Sequence, residues 1–198
     1  MAIDLDEAKI ARNEPGLWLG WTLASAAGML LGLLPFVLLI DLLDLWLVRI
    51  LVPLWAGFMV GVFQWLALRR YMTHSADWIL NGGAGWALGY ALGLIIIQAL
   101  AGSVLGALVG YILFGVIIAL LQWPVLRREI PDVIPWVLAS VLGWGLGAFI
   151  SQAVLNAVTS GDTIPQVVST AVISGVTGLV AGAITGLALV WIARHPEV

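Results

Sequence analysis

The sequence predicts an all-α membrane protein: six transmembrane helices arranged as three tandem, pseudo-repeated helical hairpins. Three observations predict it. First, the chain of 198 residues is 62% hydrophobic and only 10% charged, whereas a soluble domain carries about 45–50% apolar and about 25% charged residues. With a mean hydropathy of +1.10 it cannot cover itself with polar surface, so its solvent is largely lipid. Second, the ionisable residues are gathered into short clusters between long uncharged stretches. Third, Gln64-Trp65-Leu66-Ala67-Leu68-Arg69-Arg70 returns as Gln122-Trp123-Pro124-Val125-Leu126-Arg127-Arg128, a shift of 58 residues. The same shift carries Gly57 onto Gly115, Trp78 onto Trp136, Gly85-Trp86 onto Gly143-Trp144 and Leu88-Gly89 onto Leu146-Gly147. A fixed period of that size marks a repeated supersecondary unit.

Taken in order, Met1 to Glu14 carries Asp4, Asp6, Glu7, Lys9, Arg12 and Glu14. A secretory signal needs a basic start and a small-residue cleavage site, so residues 1–15 are expected as a cytoplasmic or interfacial segment. The single transmembrane domain is 16–198. No ionisable residue occurs from Pro15 to Ile40, from Ile50 to Leu68, from Trp78 to Leu126, from Val133 to Gly161 or from Thr163 to Ala193. One span needs about 20 residues. The Trp78–Leu126 stretch is therefore two spans, turning near Ala101-Gly102-Ser103. The helices are expected at 16–40, 48–70, 78–99, 103–127, 133–156 and 164–194, giving hairpins 16–70, 78–128 and 133–194.

With six spans both termini share one side. That side collects Lys9, Arg12, Arg69, Arg70, Arg127, Arg128 and Arg194, against Arg49 alone on the other, which also holds Asp41, Asp44 and Asp162. The positive-inside rule makes the termini cytoplasmic. Trp18, Trp46, Trp65, Trp78, Trp123, Trp136 and Trp191 fall near helix ends, where amphipathic rings prefer the interface. Trp86 and Trp144 lie eight residues further in, too deep for an aromatic belt, and are expected between helices. The third hairpin is a degenerate copy. Counting twelve residues back from Arg194 makes Gly182 the counterpart of Gly57 and Gly115. The glutamine position then holds Leu189, and the second arginine is His195. The extra length falls in the Asn156–Thr163 loop, where Ser160-Gly161-Asp162 marks a turn.

Small residues form stripes at helical spacing. Gly82, Gly85, Gly89 and Gly93 make one, repeated as Ser140, Gly143, Gly147 and Ser151, with Ala24, Gly28 and Gly32 as a weaker first copy. Gly57 and Gly61 share a face with Gln64; Gly115 and Ala119 share one with Gln122. Gly175, Gly178, Gly182 and Gly186 continue the pattern in the last helix. Lipid gives helices no hydrophobic drive to associate, so such stripes let backbones approach and gain dispersion contacts. The rival use is a narrow pore lined by small residues. Gln64 and Gln122 sit on the small-residue face and need partners, because an unpaired polar group in hydrocarbon costs several kcal/mol. They either hydrogen-bond between helices or line a polar constriction. Arg69, Arg70, Arg127, Arg128 and Arg194 set topology and grip anionic lipid headgroups. His74 reads as a surface residue of a loop.

No Asp, Glu, Lys, Arg or His occupies the middle of a span, where proton relays and ion-coupled pumps carry them. Metalloprotease, phosphate-loop and nucleophile–base patterns are missing. There are no cysteines, so thiolate metal sites and thiol chemistry are excluded. No basic run suggests a nucleic-acid partner. The chain is expected to be neither an enzyme nor a holder of a metal or cofactor.

The two Gln-Trp-x-x-Leu-Arg-Arg motifs, each followed by a Gly/Trp-rich helix (Trp78–Gly93 and Trp136–Ser151), resemble a group of uncharacterised, cyanobacterial-type polytopic bacterial membrane proteins. The resemblance covers roughly residues 55–155. It implies a bacterial membrane protein and transfers no functional residue; the inner (cytoplasmic) membrane is the expected location. The expected function is a non-catalytic structural or accessory subunit. It would pack through its small-residue faces in a homo-oligomer or larger membrane complex, with lipids as its other partners. The alternatives are a channel or facilitator for a small neutral solute or lipid and, behind it, pigment or quinone binding between the Trp-rich helices.

Overall fold

The computed structural model describes residues 14–39, 45–71, 76–101, 103–128, 134–159 and 164–194. The segment before Glu14, Asp41 and Asp44, His74, the Ser160-Gly161-Asp162 turn and His195 lie outside the described residues, as do the side chains of Trp46 and Arg49. Six helices account for nearly all of the rest: α1 Glu14–Leu39, α2 Leu45–Leu68, α3 Asp77–Ala99, α4 Val104–Leu126, α5 Ile134–Thr159 and α6 Gln166–Arg194. Every expected boundary holds to within three residues. With 23 to 29 residues each, the helices exceed the ~30 Å hydrocarbon thickness at about 1.5 Å per residue. All six are long and apolar enough to cross a membrane.

Local chemistry sets the ends. The α3–α4 turn places Ala101 at a φ of 53°, the left-handed conformation that commonly terminates a helix. Ser103 then caps α4 by accepting the Gly106 N–H at 3.1 Å, which satisfies one of the four orphan donors of the new helix. Pro135 occupies the first turn of α5, where its missing N–H is of no consequence.

Each helix packs against its two neighbours in sequence, and α6 closes onto α1. The bundle is a ring of six. The first and last helices are clamped by Arg194, which donates to both carboxylate oxygens of Glu14. Arg128 likewise reaches Asp77 at 2.7 Å, joining the start of α3 to the end of α4. That second pair is half-exposed, and such pairs are worth little in stability. Both mark the same end of the ring, the arginine-bearing end.

Glycine sets the closeness of the ring. At α1–α2, a Cβ built on Gly28 would stand 2.6 Å from Val60 Cα. At α4–α5, one on Gly115 would stand 2.7 Å from Val141 Cα. At α5–α6, one on Gly147 would stand 2.9 Å from the Thr177 carbonyl oxygen. At the closing α6–α1 junction, one on Gly178 would stand 2.6 Å from Ala26 Cα. Backbone lies against backbone at each junction, so no side chain can rotate out of the way. Leucine and phenylalanine meanwhile cover the outside: Leu80, Leu88 and Leu92 on α3, and Leu138, Leu142, Leu146 and Phe149 on α5, are exposed.

The junctions make a differential prediction. Gly178→Val should lower the melting temperature in detergent, because overpacking a rigid contact costs typically about 1–3 kcal/mol. Gly20→Ala and Gly145→Ala meet nothing within 4 Å and should be neutral or stabilising, since glycine costs about 1 kcal/mol relative to alanine in a helix. Thermal unfolding followed by far-UV circular dichroism compares the three.

Candidate functional site

Along the axis of the ring, side chains from alternate helices meet. Near the arginine-bearing end, Trp21 of α1, Trp78 of α3 and Trp136 of α5 converge. Their ring centroids are 5.6, 5.9 and 5.5 Å apart, at interplanar angles of 77°, 75° and 72°. Each ring therefore presents its edge to the face of another, the arrangement that aromatic quadrupoles prefer. All three are buried. Trp78 and Trp136 were expected in an interfacial belt because they stand at helix ends; the structure turns them inward instead. A helix end in a ring has an inner face as well as a lipid face, and sequence distance from the end does not distinguish the two.

A buried indole N–H must find an acceptor. Trp78 Nε1 donates to Gln64 Oε1 at 2.9 Å, and Gln64 Nε2 donates to Ser25 Oγ at 3.0 Å. The Gln64 amide thus ties α1, α2 and α3 together. Trp21 Nε1 donates to Thr185 Oγ1 at 2.8 Å, and Thr185 in turn donates to the Ala181 carbonyl at 2.6 Å. In both cases the acceptor stands on the even-numbered helix that precedes the tryptophan around the ring.

The third junction breaks the rule. Gln122 and Trp136 occupy the places of Gln64 and Trp78, yet Gln122 Oε1 and Trp136 Nε1 are both buried without a partner. The serine that steadies Gln64 from α1 is replaced on α3 by Gly82, so nothing there orients the Gln122 amide. Ser140 Oγ on α5 is unpaired as well.

The contacts favour a different match for α6 from the one counted back from Arg194. A Cβ on Gly57 would lie 3.0 Å from the Gly82 carbonyl oxygen, one on Gly115 3.0 Å from that of Ser140, and one on Gly178 2.8 Å from that of Ser25. By this contact Gly178, rather than Gly182, resembles Gly57 and Gly115. Seven residues on, Thr185 and not Leu189 takes the position of the glutamines. The slip is one helical turn, which keeps the glycine stripe on the same face, so the stripe alone cannot reveal it. Leu189 instead joins the apolar cluster around the tryptophans.

One layer further from the arginines, Trp86 and Trp144 fill the axis, as expected from their depth. They pack edge to face with each other at 5.2 Å and with Phe114 at 5.0 and 6.0 Å. Met29 is the α1 member of this cluster. The Trp86 N–H is buried and unpaired. Beyond it the axis opens into a cavity of about 370 Å³, bounded among others by Gly89, Gly93, Gly110 and Ala148. Gly89, Gly93, Gly110 and Ala148 on its wall carry too little side chain to fill it. Thr177 on its wall donates to Ser151 Oγ at 3.0 Å. Gln64 and Gln122 do not line it.

The remaining small residues face neighbouring helices within the chain. Gly61 and Gly82 lie against each other across α2–α3. Gly85, Gly89 and Gly93 meet α4, and Gly143 meets Ala181 of α6. Gly182 meets Thr22, Gly186 meets Trp18 and Trp21, and Gly175 touches Leu30 more loosely. Among the arginines, Arg69 stacks 5.4 Å above the Trp65 ring, while Arg70 and Arg127 are exposed. Arg128 and Arg194 pair with Asp77 and Glu14 and keep about half of their side-chain surface exposed. Among the described residues, no three His, Cys, Asp or Glu side chains gather as a metal would require.

What the fold defines is a helical bundle with the makings of a multi-pass membrane protein. No protein-family model, curated protein or solved structure matches the chain.

The two glutamines should respond differently. Gln64→Leu orphans the Trp78 donor and the Ser25 hydroxyl and should cost roughly 2–6 kcal/mol, at about 1–3 kcal/mol per buried group left unpaired. Gln122→Leu breaks no hydrogen bond that is made and should cost at least about 1 kcal/mol less. Unfolding titrations of the two variants in mixed micelles give the comparison.

Proposed function

We propose that the chain is a non-catalytic, multi-pass membrane protein that serves as a structural or accessory subunit, built from three duplicated hairpins. The observation that carries this reading is the packing of the axis. Trp21, Trp78 and Trp136 fill it at the arginine-bearing end, and Gln64 is used up in holding Trp78 and Ser25. A channel would need those amides facing water. An enzyme would need ionisable groups near the axis, and the ion pairs of the described residues stand at helix ends instead. The hairpin repeat is supported by Gly57, Gly115 and Gly178 meeting equivalent carbonyls on α3, α5 and α1.

The small-residue faces are consumed within the ring. Contacts with other copies or with a larger complex therefore fall to the exposed leucine and phenylalanine faces of α3 and α5. Both termini lie on the cytoplasmic side of a bacterial inner membrane in this reading, with Arg70 and Arg127 toward anionic headgroups.

Native mass spectrometry from nanodiscs tests the proposal: a homo-oligomer or a co-purifying membrane partner is expected, and a lone monomer throughout would count against it. Solute flux into proteoliposomes should match empty liposomes. Flux above that level, lost in Gln64→Leu, would favour a channel instead.

A further inference from the structure

We propose that the axial cavity binds one neutral lipid-class molecule, with its apolar body among the aromatic rings and its carbonyl oxygens accepting from Tyr90 and Tyr111. The inference goes beyond the structural role and does not depend on it. The cavity runs from Ile97, near the end of α3, down to a floor of Met29, Trp86 and Trp144, and its volume of about 370 Å³ lies within the range of small-molecule pockets, about 300–1,000 Å³. The cavity is open to the outside, so a guest can enter it; an apolar guest gains dispersion contacts with the lining, and apolar cavities take up apolar guests rather than water.

Two phenols set the chemistry. Tyr90 and Tyr111 both line the cavity, are 39% and 40% exposed, and have no hydrogen-bond partner among the described residues. At about 1.5 Å per residue their Cα atoms lie roughly 10–14 Å from the ends of α3 and α4. At that depth a hydroxyl without an acceptor is costly. A guest that brings acceptor oxygens removes the cost. Among the described residues no lysine, arginine or histidine lines the cavity, so none of them would neutralise a phosphate or carboxylate, and an uncharged acceptor fits this lining. Carbonyl oxygens on an apolar body meet these terms. A prenylated quinone carries them on its ring; a glycerolipid carries them in its esters.

Tryptophan quenching distinguishes the sources, because Trp86 and Trp144 form the floor. The purified full chain is titrated in mixed micelles with a decyl-substituted benzoquinone and, separately, with phosphatidylcholine bearing brominated acyl chains. Saturable quenching by one probe is expected and assigns the guest to that source. Ala148→Phe, which fills the cavity from α5, should abolish the saturable component. Tyr90→Phe with Tyr111→Phe should weaken it about tenfold, the effect of two modest hydrogen bonds, while leaving the fold intact. The proposal is overturned if neither probe gives saturable quenching, or if both variants quench like the wild type.

Discussion

The fold depends on three indoles meeting at one axis. A ring of six helices leaves a central column that the helix backbones cannot fill themselves. In water such a column could hydrate; in hydrocarbon packing it gains dispersion contacts, and each polar atom left unpaired in it is costly. Tryptophan fills volume but brings an N–H that needs an acceptor. Gln64 and Thr185 supply acceptors to Trp78 and Trp21 from neighbouring helices. The side chains that fill the axis are thereby the side chains that fix which helices stand next to each other.

Glycine is the other half of that constraint. For the indoles to touch, alternate helices must stand close to the axis, and the helices between them must come close to both. The contacts of Gly28, Gly115 and Gly178 with facing backbones set that distance. Van der Waals packing gains from it, since lipid offers helices no hydrophobic reason to associate. Ring closure then spends the small-residue stripes internally and leaves large apolar side chains outside. A stripe of small residues in a membrane sequence therefore says that a close neighbour exists, not whether it belongs to the same chain.

Much of this was legible in the sequence. Uncharged stretches located all six helices to within three residues, because charge is confined to the ends of spans. The inward packing of Trp86 and Trp144 followed from depth alone. Trp21 was missed because it stands 57 residues before Trp78, one short of the 58-residue shift. The inward turn of Trp78 and Trp136 was not legible, because belt and axis positions share the same distance from the helix end. Nor was the one-turn slip of α6, since moving four residues along a helix returns nearly to the same face. The cavity was invisible too: Gly93 of α3 and Ala148 of α5 both line it, and only the ring closure brings those two helices to one axis.

The three junctions are unequal. Two have a tryptophan with its donor paired; the junction of α4 with α5 leaves Gln122, Trp136 and Ser140 unpaired and buried. The cavity wall passes through the same junction, at Phe114 and Trp144. The departure is local: Gly82 stands where α1 has Ser25, and the amide loses its anchor.

Closure of the ring by the first and last helices is the claim on which the axis rests, and the cysteine-free chain allows it to be measured directly. Leu17 and Val190 pack together in the interior across α1 and α6. With Leu17→Cys and Val190→Cys introduced together, mild oxidation in native membranes should give a fast-migrating, intramolecularly crosslinked monomer in high yield. If the pair stays reduced, or crosslinks only between molecules, the six helices do not close into a ring and the account of the axis is wrong.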